Sequence, residues 1–428
     1  MKARILAAVL LAGCVSACEL LVINDVKDPI EVSSPQPQTQ ITKVSLTAAE
    51  TAMVNAGNEL TFNMLPLLRD GGKSFLFSPL SLQYALGMTA NGASGETQEE
   101  IVRTLGFGDD IAALNALCNK LLNELPAVDL SVKLQLADAI LVNDSFPLSP
   151  SFKENVESTY YAAVENMSFG DPSAVAARIN DWAKRNTNGL IPKMLDAGDI
   201  SPDAIAFLMN ALYFKAPWVQ ENSDPRFLEE NTRKQDFYPG GSDVVQVPTM
   251  RTDGTYKYVD MKDFGVLELP YANGSFSMYI LLPANRDGFD QLMSDFPNLD
   301  WKEIRSRLRS RDVVLNLPKF ETSSSYRLND ALKKLGMKRA FTDEAQFDNM
   351  FADPGVQALI DFVIQKARIS VAEWGTEAAA VTVVGMKEYA MPPGEEPLVE
   401  FICDHPFAYL IAENTSGAIL FAGAYCGK

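Results

Sequence analysis

Apolar positions recur at helical spacing early in the chain and gather into short runs later. Thr47, followed three residues on by Glu50, forms a capping box. Behind it Ala49, Met53, Ala56, Leu60, Met64 and Leu67 repeat every three or four residues, which predicts a long amphipathic helix. Phe75, Leu76 and Phe77 predict a brief strand. Ser78-Pro79 then predicts a helix start, with serine at the cap, proline in the first turn, and Leu82, Ala85, Leu86 and Thr89 as its buried stripe up to Gly92. The nearly unbroken apolar run 204–214 reads as a strand buried on both faces. Segments 276–282 and 313–317 read as strands too, 326–335 as a capped helix stopped by Gly336, and 406–425 as two strands around a Thr415-Ser416-Gly417 turn. Helices dominate the first third and strands the remainder, so the fold class is α+β. No internal repeat interrupts residues 45–428, which read as one domain.

The amino terminus follows a different pattern. Lys2 and Arg4 precede an apolar run over 5–12, the signature of a secretory signal peptide and too short to span a bilayer. Leu11-Ala12-Gly13-Cys14 and Val15-Ser16-Ala17-Cys18 both resemble bacterial lipobox motifs. That resemblance implies cleavage before a cysteine that becomes lipidated, Cys18 being preferred over Cys14 because it leaves a fuller hydrophobic run upstream. Residues 1–18 are thus expected to be the signal region of an exported bacterial lipoprotein. Residues 19–44, with Pro29, Pro35 and Pro37, are the expected tether to the cell envelope or surface.

Composition narrows the chemistry. The 428 residues are 47% hydrophobic and 21% charged, enough apolar mass for a sizeable core. A formal charge of −18 argues against nucleic acid as a partner. The chain has one histidine, His405, so a His-rich metal site is impossible and a Ser/His/Asp triad would have to use that residue. No catalytic constellation, metal site or cofactor is expected. Arg305, Arg307, Arg309 and Arg311 read as a solvated face rather than a polyanion site. Cys403 and Cys426 lie near a cross-strand register about the Ser416 turn, so a disulfide between them and three isolated thiols with Cys118 remain alternatives.

The segment 375–391 is the least ordinary. Gly375, Thr376, Glu377, Ala378, Ala379 and Ala380 favour helix or loop, whereas Val381, Thr382, Val383 and Val384 favour strand, and no proline intervenes before Pro392. Several blocks around it resemble the serpin family, in family order. They are Phe77-Ser78-Pro79-Leu80-Ser81-Leu82 running on to Gly92-Ala93-Ser94-Gly95-Glu96-Thr97; Asn180-Asp181-Trp182 with Asn186-Thr187-Asn188-Gly189-Leu190-Ile191; and Asn210-Ala211-Leu212-Tyr213-Phe214-Lys215 with Trp218. Leu317-Pro318-Lys319-Phe320, the hinge-like Gly375 to Ala380, Asp404-His405-Pro406-Phe407 and Leu420-Phe421-Ala422-Gly423 complete the match, from about Thr47 to the end of the chain.

The resemblance implies a single domain of three β-sheets and eight or nine helices, with an exposed reactive loop at about 373–393. It implies an inhibitor, not an enzyme: a suicide substrate whose cleaved loop enters the main sheet while a serine protease, or a cysteine protease, is trapped as an acyl-enzyme. Counting from Glu373 by the family's spacing puts the reactive bond at Tyr389-Ala390, suited to a chymotrypsin-like protease, with Lys387 or Met391 as alternatives. From Gly375 to Tyr389 an extended chain spans about 50 Å, comparable to the diameter of a compact domain of this size. If Thr376 faces inward, Ala378, Ala380, Thr382, Val384 and Met386 do too, and Glu377 and Lys387 stay outside. Ser78, Ser81, Asn210 and Gln365 are implied to control sheet opening, with Gln365 standing where the family commonly has histidine, and Trp374 where a charged residue often precedes the hinge glycine. The family's heparin-binding helix would lie near 111–125, where Lys120 is the only basic residue, so no strong heparin signal exists. A monomer is expected. The alternative function is a non-inhibitory serpin, a binding protein or simple protease substrate.

Overall fold

The computed structural model describes residues 40–201, 203–219, 226–240, 243–376 and 397–427. Among them are nine α-helices: α1 (Ala48–Leu68), α2 (Pro79–Gly92), α3 (Gly95–Thr104), α4 (Ile111–Glu124), α5 (Pro150–Thr159), α6 (Pro172–Asn186), α7 (Phe289–Asp295), α8 (Trp301–Arg307) and α9 (Asn329–Lys334). None of the described helices is long and apolar enough to cross a membrane. The first strands are β1 (Phe75–Phe77), β2 (Lys133–Asn143), β3 (Ala163–Met167), β4 (Ala206–Pro217), β5 (Arg233–Gly240), β6 (Asp243–Asp260), β7 (Phe264–Tyr271) and β8 (Phe276–Pro283). They are followed by β9 (Arg309–Pro318), β10 (Phe320–Arg327), β11 (Ile364–Ala372), β12 (Gly375–Thr376), β13 (Val399–Ile402), β14 (Phe407–Glu413) and β15 (Ile419–Tyr425).

Local signals act where they were expected. Thr47 and Glu50 close a reciprocal capping box on α1, and Ser78 caps α2 by accepting from the Ser81 N–H. The α1 stripe is rotated: Leu60 and Met64 are buried as expected, but Leu67 is exposed while Phe62, Leu65 and Leu68 go inward. Tertiary packing on both α7 and α8 sides outweighs the simple periodicity. The helix expected over 326–335 shrinks to α9, because β10 continues through Arg327 in a ladder with β11 and Leu328 begins the turn; Gly336, at φ +114°, still ends it.

Among the described residues the strands connect into two hydrogen-bonded sheets, where three were expected. The nine-stranded one runs β1-β15-β14-β8-β7-β6-β9-β13 with β5 on β6, and the six-stranded one runs β10-β11-β12-β4-β2-β3. The 18-residue β6 pairs with β5 through its first part, with β9 through its middle and with β7 at its end, which joins what were expected to be two sheets into one ladder. The main core lies between the sheets and under α2. Phe214 of β4 meets Tyr271 at 5.3 Å and Phe276 at 5.7 Å, both edge-on. Packing onto this domain already begins in the expected tether: the Ile41 N–H donates to the Ala127 carbonyl, the Val44 N–H to Thr415 Oγ1, and Val44 is buried.

The bridge between Cys403 and Cys426 is not formed. Both are free, buried thiols, as is Cys118. The hairpin pairs Phe407 with Tyr425, so that register would bring Cys426 opposite Pro406 rather than Cys403, and β13 leaves the hairpin to pair with β9. Iodoacetamide labelling without reductant is therefore expected to leave Cys118, Cys403 and Cys426 untouched in the native protein and to modify all three after denaturation. Peptide mass mapping reads each site, and an unlabelled Cys403–Cys426 pair in the denatured sample would restore the bridge.

Candidate functional site

The six-stranded sheet is split. β4 and β11 are its central parallel strands, yet among the described residues they exchange no ladder bond. β4 pairs with β2 along its length, β11 with β10, and only the two residues of β12 join them at one end. Gly375 sits opposite Ala372 and Pro217, Thr376 opposite Val371 and Ala216. At the other end the strands flank a cavity of about 500 Å³, lined by Phe207, Met209 and Asn210 of β4, Ile364 of β11 and Leu82 and Leu86 of α2. The site is thus a slot between parallel strands, seeded at one end and open at the other.

The seed is anchored from several sides. Gly375 has φ +142°, and a Cβ there would lie 2.1 Å from the Ala216 carbonyl oxygen, so the tight entry beside β4 requires glycine. Thr376 is buried and faces inward, its Oγ1 2.6 Å from the Tyr271 hydroxyl. Trp218 stacks on Tyr271 at 4.4 Å, donates its Nε1–H to the Ala372 carbonyl and receives the Trp374 carbonyl at its backbone N–H. Glu373 forms an ion pair with Lys319 at 2.9 Å and accepts from the Thr232 hydroxyl at 2.9 Å. Burial pushes its carboxyl up, but those partners outweigh burial and hold it below the usual range. Trp374, unusual in the sequence, lends its carbonyl to this roof while its Nε1 stays buried without a partner.

A second cluster holds the strands from beneath. Gln365 of β11 accepts from the Ser78 N–H and donates to the Ser78 carbonyl, both at 2.8 Å. The Ser78 hydroxyl donates to the Leu420 carbonyl on β15 at 2.8 Å. On β4, Asn210 accepts from the Ser81 hydroxyl. All four residues implied to control opening therefore meet at the first turn of α2. Gln365 and Asn210 do not bond each other, however; each strand is tied separately to the helix. Asn210 also donates through Nδ2 to Asp138 of β2 at 2.8 Å, a residue missed in the sequence.

The remaining expectations divide. Glu377, Ala378, Ala379, Ala380, Lys387, Tyr389, Ala390, Met391, Cys14 and Cys18 lie outside the described residues. His405 is buried, with Nδ1 2.7 Å from Asp404 and Nε2 3.0 Å from the Pro283 carbonyl, so both nitrogens face structural acceptors and no serine is among its partners. Arg307 pairs with Glu303, Arg305 with the Asn414 carbonyl, Arg309 with the Ser306 and Leu308 carbonyls, and Arg311 with the Pro397 carbonyl. Lys120 on α4 is engaged by Glu50 at 3.3 Å. No cluster of three His, Cys, Asp or Glu groups suited to a metal occurs among the described residues.

Removing Gln365 leaves the buried Ser78 N–H without a partner, while the Ser78 carbonyl keeps only the Leu82 N–H. Gln365→Ala is expected to lower native stability by about 1–3 kcal/mol, against less than about 0.5 kcal/mol for exposed Lys302→Ala. Urea unfolding reads both; equal values for the two variants would mean that β11 is not held through Ser78.

Comparison with known proteins agrees with this geometry. The family model described as Serpin (serine protease inhibitor) matches residues 55–427. Iripin-2 of Ixodes ricinus is 32% identical over 87% of this chain and 93% of its own length, and Serpin-Z2A of Triticum aestivum is 37% identical over 81% and 88%. Among solved structures, cleaved Serpin 42Da superposes with a TM-score of 0.79 at 29% identity, covering 89% of this chain and 100% of that one. Native tengpin, a thermophilic serpin, gives 0.79 at 26% identity over 91% and 97%. Human thyroxine-binding globulin, complexed with thyroxine, gives 0.77 at 26% identity over 89% and 99%. With the family match and these relatives spanning nearly all of the split-sheet domain, the chain belongs to the serpin family.

Proposed function

We propose that this serpin is an inhibitory one: a suicide substrate for a chymotrypsin-like serine protease, cleaved at Tyr389-Ala390, whose loop enters the slot between β4 and β11. The observation that carries this reading is the position of Thr376. It already occupies the slot with its side chain inward. Continued at strand alternation, that register turns Ala378, Ala380, Thr382, Val384 and Met386 inward and leaves Glu377 and Lys387 in solvent, so no charge is desolvated through Lys387. The loop is long enough to carry a bound protease about 50 Å. A tyrosine before the bond fills a hydrophobic specificity slot; Lys387, as the alternative, selects trypsin-like enzymes, and Met391 shifts the bond two residues on. A cysteine protease is accommodated by the same acyl-trapping logic.

The leader supports export as a bacterial lipoprotein anchored through Cys18, with the domain acting as a monomer at the cell envelope or surface. Loss of fatty-acid labelling in Cys18→Ser but not Cys14→Ser tests that assignment. The competing reading is a non-inhibitory serpin, a binding protein or simple protease substrate; thyroxine-binding globulin complexed with thyroxine is among the structural neighbours.

Mixing with chymotrypsin decides between them. The expected result is an SDS-resistant adduct of the summed mass together with a released carboxyl-terminal peptide beginning at Ala390. Clean cleavage without adduct at every ratio supports the non-inhibitory reading, and another peptide start moves the bond. Thr376→Arg forces an unpaired guanidinium against Tyr271, so the variant is expected to be cleaved with at least tenfold less adduct per cut.

A further inference from the structure

Asp138 is an acid in a place with little use for one. It lies on β2 between Leu136 and Ile140, on the face that packs against α2 and α4, and is 2% exposed. Its Oδ1 accepts from Asn210, but Oδ2 is buried with no hydrogen-bond partner. The ionisable groups whose fields couple to it are Tyr84 of α2, Cys118 of α4 and Tyr160 at the end of α5. Burial pushes all three up, so they are neutral near pH 7, and no cation is among them. The carboxylate therefore has one amide to offset its charge.

That amide is the one that holds β4 to α2. Asn210 donates its Nδ2–H to Asp138 and accepts the Ser81 hydroxyl at its Oδ1, and both Asn210 and Ser81 line the cavity at the open end of the slot. Moving β4 away from α2 breaks the Ser81 bond and lets water through the cavity to Asn210 and on to Asp138. Opening thus hydrates the carboxyl, and by linkage whatever opening favours in Asp138 favours opening in return.

We infer that Asp138 is a positioning residue that makes opening of the six-stranded sheet pH-dependent: protonated, it leaves β2 and β4 seated on α2, and ionised, it promotes their separation. The inference rests on the loop-insertion reading above and adds its regulation. Burial, opposed by the Asn210 hydrogen bond, pushes the carboxyl up to about 7 in the closed fold. In water an aspartate ionises near 4. Between those values the closed form keeps a proton that a hydrated form has lost, so its relative stability falls as pH rises from about 4 to about 7 and changes no further above. Because the closed form itself changes from mostly protonated to mostly ionised around pH 7, the opening rate steps up there and then levels.

The full chain is held without protease at one sub-melting temperature from pH 5.5 to 8.5, and conversion of the native to the heat-resistant, loop-inserted form is followed on native gels. The expected result is at least a threefold faster conversion at pH 8 than at pH 6, with a midpoint near 7. Asp138→Asn, which keeps the shape and loses the charge, is expected to convert at the slow acid-limb rate throughout. A flat wild-type profile, no conversion at any pH, or a step retained in Asp138→Asn overturns the inference. If that variant does not fold, infrared titration of the wild type replaces it: a buried carboxylic-acid band that disappears with a midpoint near pH 7 supports the assignment, and its absence at pH 6 overturns it. No protease takes part, so the pH step can fail while adduct formation stands, and adduct formation can fail with the step intact.

Discussion

The closed sheet depends on the first turn of one helix. β4 and β11 run side by side without a ladder among the described residues, and what ties them together beneath is Ser81 to Asn210 on one side and Ser78 to Gln365 on the other. A buried hydrogen bond nets about 1 kcal/mol, so this clamp is worth a few kcal/mol. A strand filling the slot along the 12-residue length of β4 would gain main-chain bonds on both edges and cover two inner strand edges at once. The clamp is small beside that gain. On the proposed loop-insertion reading, a fold held this way is kept from its most stable arrangement by a local restraint, and the restraint is where control belongs.

The two residues of β12 determine how release would proceed. Strand addition is slow when its first contacts must be made from an open loop, because ordering a residue costs about 1–2 kcal/mol before any neighbour helps. Here the reversal at Glu373-Trp374 is already built, roofed by Trp218 and pinned by Lys319, and Thr376 is already bonded to Tyr271. Each further residue then adds to an existing edge. Gly375 is what lets the chain enter so close to Ala216, and any side chain there would push the seed out of the slot.

Much of this was legible in the chain, for reasons that are local. Thr47 with Glu50, Ser78 with Pro79 and the Thr415-Ser416-Gly417 turn are short-range signals that tertiary packing had no cause to override, and each stands in the structure. Leu67 and the shortened α9 show where packing did override: periodicity says that a face is buried but not which neighbours arrive to bury it. Ser78, Ser81, Asn210 and Gln365 meet at α2, each strand tied to the helix rather than to the other, a distinction of geometry that order along the chain does not contain. Asp138 left a readable trace: a lone carboxylate whose neighbours two residues away, Leu136 and Ile140, belong to the core face. Its tie to Asn210 needed the antiparallel register that sets the two opposite each other.

That placement matters because the chain has few other ways to respond to pH near neutrality. Histidine is the usual side chain for it, and here there is one. His405 sits beyond β13, away from the slot, with one nitrogen on Asp404 and the other on a backbone carbonyl. At the clamp itself stands Gln365, which bonds both backbone groups of Ser78 but carries no titratable proton. A carboxyl displaced upward by a dry, singly bonded site supplies what that glutamine cannot, and supplies it on the opposite strand. The clamp then has a fixed half, Gln365 on β11, and a charge-sensitive half, Asp138 acting through Asn210 on β4, so protonation decides whether the β4 side of the slot is free to move.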